Sequence, residues 1–201
     1  MTYLVVNCNQ WIGFHITESL LDDGRMVHGV INETIDDSLT MFFGRNSSFT
    51  LAEPVTSEFY ENAVIIHDVK DNTEIQAKRK IFIDPSDRVK DSDSIVSIKA
   101  PLLFGEWMPM NENGLYSNNK FIRFDSPYFK QNAVYIKDFT KSLLSWLEKS
   151  KLQSEIVVKS SSNRTKEDVK LENSIYIRDN VPTEENLERV LNHFKLYSKF
   201  Y

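Results

Sequence analysis

The sequence predicts an α/β fold: a reduced parallel sheet flanked by helices, with a small C-terminal α/β lobe. Three observations predict it. Residues 3–31 carry the hydrophobic pattern of a strand, a tight turn, a helix and a second strand. Three later apolar runs bounded by polar residues indicate further buried strands; they are residues 63–67, 80–83 and 95–98. The composition changes near Lys99, which predicts a domain at 1–98 and a lobe at 99–201 packed on it, or one continuous domain.

The opening unit has the layout of a Rossmann-like nucleotide-binding fold. Residues 3–6 form the first predicted strand, and residues 26–31 form the second. Apolar residues recur at helical spacing between them; these are Trp11, Ile12, Ile16, Leu20 and Leu21. Gly24 follows where a glycine commonly ends a helix. The unit therefore predicts a helix between two neighbouring strands.

The later elements follow from shorter patterns. The eleven residues after Ile83 are fewer than a parallel crossover usually takes, so a loop or a single turn is expected there. Thr183 is the expected N-cap of the last helix, ahead of an apolar stripe. The full set of predictions is two helical turns at 73–78, a loop at 99–110, a strand at 120–124, a helix at 138–149, a strand at 155–159, a polar and mobile segment at 159–171, and a helix at 183–197.

Composition excludes several classes of protein. The formal net charge of −5 argues against a general nucleic-acid binder. No apolar run approaches the roughly 20 residues that cross a bilayer, so no membrane is expected, and no export signal is visible. Cys8 is the only cysteine, so no intrachain disulfide can form and a cytoplasmic location is expected.

Five segments resemble the extended short-chain dehydrogenase/reductase family, the NAD-dependent nucleotide-sugar epimerases and dehydratases. Residues 5–32 are similar to its glycine turn, first helix and second strand. Four more segments resemble, in order, its fourth strand, its arginine-proline-glycine loop, the valine–aspartate stretch before a late helix, and its closing helix; they are residues 63–67, 97–107, 133–150 and 181–197. Their order and spacing carry the resemblance, which implies a truncated and degenerate Rossmann-like protein.

The resemblance implies a degenerate NAD(P) site at the first turn. Its expected residues are Asn7, Cys8, Gln10, Trp11, Ile12, Gly13 and Asn32. The family turn has glycines at three points; here Asn7 and Gln10 occupy the first two, and Gly13 keeps the third. Gln10 puts a long side chain where phosphate oxygens would lie. We therefore expect no cofactor, with NAD(P) kept as the alternative because a helix N-terminus can hold an anion.

The family's catalytic pair has no counterpart. The resemblance places a tyrosine, and a lysine four positions later, between Ile83 and Ile95, where only Ser86 matches a family residue, the serine. The chemistry needs a phenol whose pKa is lowered by a nearby ammonium group. We therefore assign no catalytic residue, and the sequence favours a non-enzyme while leaving activity open.

Several other side chains are candidates for a site, and two of them, Cys8 and His67, have two interpretations each. Cys8 is either a reactive thiolate near a helix N-terminus or a small buried residue. His67 is either a base or a hydrogen-bonded residue at a strand end. Asp138 matches a family aspartate and is expected to cap its helix. The four histidines show no metal-ligand spacing, so no metal is expected.

The loop after residue 98 is the expected substrate loop. By resemblance it approaches the sugar end of the substrate, and its expected residues are Phe104, Gly105 and Trp107. The Trp107 ring either stacks on a substrate ring or seals the core or a partner surface.

The short crossovers have a further consequence. A parallel sheet is normally covered by helices on both faces, so the missing helix predicts a bare face covered by a second copy or another protein.

The sequence as a whole leaves three functions open: a non-catalytic relative that acts by binding or assembly, a sensor of NAD(P) or a nucleotide sugar, and an enzyme with altered chemistry at Cys8 or His67.

Overall fold

The structure is a computed structural model that describes residues 2–53, 58–67, 75–85, 92–163 and 173–201. An eight-stranded, mostly parallel sheet lies at its centre and confirms the predicted α/β, Rossmann-like class. In chain order the strands are β1 Thr2–Val6, β2 Met26–Val30, β3 Phe49–Leu51, β4 Phe59–Ile66, β5 Gln76–Ile83, β6 Ile95–Lys99, β7 Leu102–Phe104, β8 Met110–Asn111, β9 Gly114–Ser117, β10 Lys120–Arg123, β11 Ala133–Tyr135, β12 Glu155–Ser160 and β13 Ser174–Ile177. The order across the central sheet is β13-β12-β6-β5-β4-β1-β2-β3.

Within the described residues, four α-helices accompany the strands. They are α1 Trp11–Asp22, α2 Pro127–Asn132, α3 Ile136–Leu147 and α4 Thr183–Tyr197. No helix in the described ranges is long and apolar enough to cross a bilayer.

The chain forms two compact units. The first consists of Met1–Lys99 and Leu143–Ile156, and it contains β1 to β6 and α1. The second consists of Ala100–Ser142 and Val157–Tyr201. It contains the antiparallel sheet β10-β9-β8, the parallel pair β11-β7, and helices α2 and α4.

Helix α1 ends as its sequence predicts. Gly24 has φ +74°, a left-handed conformation that glycine adopts without strain. Its N–H donates to the carbonyl of Leu21, and the Arg25 N–H donates to that of Leu20. This pair of bonds is the Schellman arrangement, which satisfies carbonyls left free at a helix end. The glycine therefore fixes where the chain leaves α1 for β2.

One face of the first unit's sheet packs into an apolar cluster. Its members are Leu4, Val6, Val30, Tyr60, Ala63, Ile65, Ile75 and Phe82, and all are buried. Because side chains alternate along a strand, Leu4 and Val6 lie on the face of β1 opposite to Val5. Val5 pairs with Gly29 of β2, and Gly29 lies beside the Cys8 side chain. These apolar residues are therefore buried within the chain.

Several predicted elements differ from the structure. Residues 76–78, expected as helical, belong to β5, because they extend the ladder with β4; residues 73 and 74 lie outside the described residues. The loop expected at 99–110 contains β7, which pairs with β11. Thr183 is the first residue of α4 and not its N-cap, a position that Pro182 occupies. Most of the polar segment expected to be mobile, and Ser86, also lie outside the described residues.

Helix α3 begins earlier than predicted. Its first residue is Ile136, so Asp138 lies inside the first turn and is not the N-cap. The Asp138 carboxylate instead accepts a hydrogen bond from the side-chain amide of Asn180. A contact distant in sequence thus explains this aspartate, which local sequence could not show.

Candidate functional site

A sharp backbone turn joins β1 to α1. Asn7 follows β1 with φ 62°, in the left-handed region that asparagine tolerates better than most residues. Its side-chain Nδ2 donates to the carbonyl oxygen of Ile66, at 2.7 Å. The Gln10 N–H then donates to the Asn7 carbonyl oxygen at 3.0 Å and closes the turn. Asn7 therefore replaces the first family glycine and also ties β1 to the end of β4.

Gly13 performs the packing role expected of the third glycine. A Cβ atom at this position would lie 2.2 Å from the carbonyl oxygen of Asn7. Backbone cannot yield to such a contact as a flexible side chain would, so only glycine lets α1 approach the turn this closely.

Gln10 leaves the start of α1 open. It is the N-cap residue with φ −77° and ψ 147°, but its side chain makes no capping hydrogen bond. Its Oε1 atom is buried and has no hydrogen-bond partner among the described residues. Trp11 packs its ring edge against His15, and Ile12 is buried in the core. The N–H groups at a helix N-terminus suit an acceptor or anion, whereas the Gln10 Oε1 beside them is itself an acceptor and needs a donor.

Cys8 is a core residue. It is fully buried, and a Cβ on Gly29 would lie only 2.7 Å from its Sγ. Burial raises the pKa of the thiol to about 12. The thiolate is the reactive form of cysteine, so burial of Cys8 supports the packing interpretation over the reactive one.

Asn9 was absent from the predicted site, yet it organises this region. Its Nδ2 lies 2.9 Å from the Asn32 carbonyl oxygen and 3.2 Å from that of Ile35, and its Oδ1 accepts the Asn32 N–H at 2.8 Å. It holds the loop after β2 against the turn. The available signal was a second asparagine in the tight turn between two apolar elements, since a buried amide must find hydrogen-bond partners.

Asn32 is occupied by its own loop. Its Oδ1 accepts from the backbone N–H of Thr34 at 3.0 Å and from the Thr34 hydroxyl at 2.6 Å. An oxygen with two donors has little capacity left for a ribose hydroxyl. The residues at this position therefore fit the ribose end of a dinucleotide poorly.

Three adjacent strands end in left-handed residues. After β1, β4 and β5 come Asn7 at φ 62°, His67 at φ 54° and Asp84 at φ 48°. The His67 Nδ1 donates to the Asp84 carbonyl oxygen over 3.3 Å. The carboxyl edge of such a sheet is where ligands bind, and strained backbone clusters at functional sites. The structure supports the interpretation of His67 as a hydrogen-bonded strand-end residue.

The expected substrate loop lies in the second unit. Phe104 is buried and packs on Phe129, and the Gly105 N–H lies 3.3 Å from the Met108 sulfur. Trp107 has φ 65°, and its N–H donates to the Tyr201 hydroxyl at 2.9 Å.

The Trp107 ring is enclosed by aromatic neighbours from the end of the chain. It stacks with Tyr201 at 5.4 Å and meets the edge of His193 at 4.4 Å between centroids. The same hydroxyl of Tyr201 lies 2.7 Å from the His193 Nδ1. These contacts favour the sealing interpretation of Trp107 over stacking on a substrate ring.

A buried phenol also lies in the second unit. The Tyr135 hydroxyl donates to the Glu106 carboxylate, at 2.8 Å from Oε1 and 3.1 Å from Oε2. Burial, with the Glu106 charge second, raises the pKa of Tyr135 above its usual value. This is the reverse of what an acid–base phenol needs.

The similarity of this chain to known proteins lies in its fold. No family model and no curated protein sequence matches the chain. Solved structures do match. The dTDP-glucose 4,6-dehydratase of Bacillus anthracis str. Ames, in complex with NAD, has 7% identity and a TM-score of 0.63 over 100% of this chain and 98% of that chain.

Two further structures give the same result. The UDP-glucose 4-epimerase of Thermotoga maritima, with UDP-glucose, has 12% identity and a TM-score of 0.58 over 98% of this chain and 99% of that chain. Vestitone reductase from alfalfa has 12% identity and a TM-score of 0.58 over 100% of this chain and 99% of that chain. At these identities the similarity concerns the fold, and it confirms the resemblance at that level: the chain has the Rossmann-like fold of these dehydratase, epimerase and reductase structures.

Proposed function

We propose that this protein is a non-catalytic form of the epimerase/dehydratase fold that acts by binding or assembly. One observation carries the proposal. Strands β5 and β6 are adjacent and parallel, with Ile83 opposite Ile98, and only eleven residues join them. That connection contains no tyrosine. By resemblance, it is where the family carries its tyrosine–lysine helix.

The other candidate groups support the same conclusion. A proton donor for this chemistry needs a pKa near the working pH, whereas Cys8 and Tyr135 both have pKa values raised by burial. His67 is bonded to backbone. A reducing compartment such as the cytoplasm suits a protein whose only cysteine is a buried free thiol.

A hydride-transfer assay tests this proposal. The purified chain is incubated with NAD and either dTDP-glucose or UDP-glucose, and sugar products are followed by mass spectrometry alongside the NADH absorbance. We expect no product above the no-protein blank. Turnover that survives repurification and is lost on heating would overturn the proposal.

The second candidate function is a sensor of NAD(P) or a nucleotide sugar. The observations that favour it are the left-handed Asn7 turn, the close Gly13 contact and the uncapped start of α1, which together preserve part of a phosphate cradle. Structures of the same fold contain NAD or UDP-glucose. The Asn32 side chain and the Gln10 side chain argue against tight binding.

Gln10→Glu tests the sensor. The change keeps the shape of the side chain but adds a negative charge at the start of α1, which repels phosphate. A ligand that binds the folded chain raises its Tm. If the sensor proposal is correct, millimolar NAD, NADP or UDP-glucose raises the Tm of the wild type and not that of Gln10→Glu, while Glu18→Gln, a charge change on α1 away from the turn, behaves as wild type. Equal shifts in all three proteins, or none, would contradict it.

A further inference from the structure

One exposed surface of the first unit combines apolar and acidic side chains. We call residues 32–42 the acidic loop. Within it Met41 is 71% exposed and Phe42 is 62% exposed, and Ile35 is also exposed. The large exposed side chains of a typical surface are scattered, and those that adjoin tend to mark an interaction surface.

The acidic loop is held in place by its neighbours. The side-chain Nδ2 of Asn9 donates to the backbone carbonyl oxygens of Asn32 and Ile35. Phe43 is buried directly after the loop and stacks on Phe14 of α1 at 5.0 Å. The exposed side chains are therefore presented on a fixed backbone, which lowers the entropy cost of binding.

The charge of this loop has one sign. Glu33, Asp36 and Asp37 are exposed, and residues 32–42 contain no lysine or arginine. Hydrogen bonds from Ser38 lower the pKa of Asp36 and keep its carboxylate ionised. The surface should therefore attract an apolar partner surface that carries cations.

The second unit exposes a surface with the opposite charge. At the end of α4 and beyond it, Leu196 is 78% exposed and Phe200 is 63% exposed. Lys195 and Lys199 are exposed beside them, and residues 195–200 contain no acidic side chain. This basic surface (residues 195–200) is also held in place, because the Tyr201 hydroxyl binds the Trp107 N–H.

We propose that the acidic loop of one copy binds the basic surface of a second copy of this chain. In this contact Met41 and Phe42 would pack against Leu196 and Phe200, and the carboxylates would face the two lysines. The inference rests on the proposed function and names its partner. The two surfaces are different, so the contact is head-to-tail, and copies close into a ring or extend as a chain.

The contact is small, which sets its strength. Four large apolar side chains and two or three ion pairs form less than a standard interface, which buries about 1,600 Å² in total. We therefore expect association in the micromolar range and faster dissociation at high salt, since exposed charges are screened.

Two charge-reversed variants separate the two surfaces. Glu33→Lys with Asp37→Lys alters only the acidic loop, and Lys195→Glu with Lys199→Glu alters only the basic surface. The control, Glu53→Lys with Glu112→Lys, makes the charge change of the first variant at two exposed sites elsewhere. Sedimentation velocity over a concentration series measures mass, and the Tm confirms that each variant folds.

The proposal predicts a specific pattern. The wild type and the control associate, each reversed variant alone weakens association at least tenfold, and an equimolar mixture of the two reversed variants associates again. The mixture associates because each variant keeps one intact surface that fits the intact surface of the other, and the two reversed surfaces are also opposite in charge. A monomeric wild type at about 100 µM, well above the expected micromolar Kd, or unchanged mass in a reversed variant, would overturn it.

The same experiment distinguishes the two proposals. Loss of association with no hydride transfer leaves the non-catalytic proposal in place and removes only the head-to-tail contact. Turnover in the hydride assay with normal association removes the non-catalytic proposal and leaves the contact.

Discussion

Asn7 combines a strained backbone with a buried hydrogen bond. Asn7→Ala would keep the left-handed φ without the amide and would leave the Ile66 carbonyl unsatisfied. We expect a loss of about 2–3 kcal/mol in the free energy of unfolding. Asn7→Gly removes the strain as well as the bond and should lose clearly less. Urea unfolding of both variants measures the difference; equal losses would mean that the backbone conformation costs nothing.

Cys8 gives a second prediction at this scale. With a buried thiol and a pKa of about 12, it should resist alkylation by iodoacetamide at pH 8 in the folded chain. In guanidinium chloride the same thiol should react completely. Intact mass spectrometry over time reports both states. Rapid labelling of the folded chain would restore the reactive interpretation.

At the scale of elements, Gly13 within α1 and Gly24 just after it test two different causes of destabilisation, a steric contact and backbone strain. Gly24→Ala places a side chain in open space at φ +74°, so it should lose about 1 kcal/mol from conformational strain. Gly13→Ala places Cβ 2.2 Å from the Asn7 carbonyl oxygen, and α1 would have to move. We expect a loss more than twice as large, of about 3 kcal/mol. Chemical denaturation compares the two, and similar losses would show that α1 can shift at little cost.

The sequence predicted elements well where periodicity and caps coincide. Helix α4 and the Gly24 end of α1 follow local signals, so their bounds were predicted closely. The hairpin β9–β10 was missed in part, although Asn118 and Asn119 form its two-residue turn with positive φ, a conformation that such turns need and that asparagine tolerates. The start of α3 was misplaced because Asp138 binds Asn180, far away in sequence.

At the scale of the whole molecule, the fold was predictable and the site only in part. The spacing of Asn7, Gln10 and Gly13 located the turn, because the path from strand to helix imposes that spacing. The role of Asn9 depends on which loop lies beside it, and the partner that His67 binds depends on the neighbouring strand. The fold of the whole chain decides which residues lie beside these positions. The sequence around them has no periodicity that would predict those neighbours.

The last prediction concerns the stability of the whole chain against pH. Burial, followed by the nearby charges of Asp138 and Glu184, raises the pKa of Asp179 above its usual 3.8. The folded chain therefore holds this proton more tightly than the unfolded chain. The stability that it contributes is complete below the unfolded pKa and is lost as pH rises through the folded pKa.

Asp179→Asn keeps an oxygen for the Thr183 hydroxyl but cannot titrate. Between pH 4 and neutrality, the wild type should therefore lose stability relative to this variant. Asp36→Asn supplies a control of opposite sign, because hydrogen bonds from Ser38 lower the pKa of Asp36, and its contribution is lost as pH falls. Thermal unfolding in a series of buffers measures both difference curves. If the stability of Asp179→Asn changes with pH in parallel with that of the wild type, burial does not raise the pKa of Asp179. Another contact must then offset the repulsion between its carboxylate and those of Asp138 and Glu184.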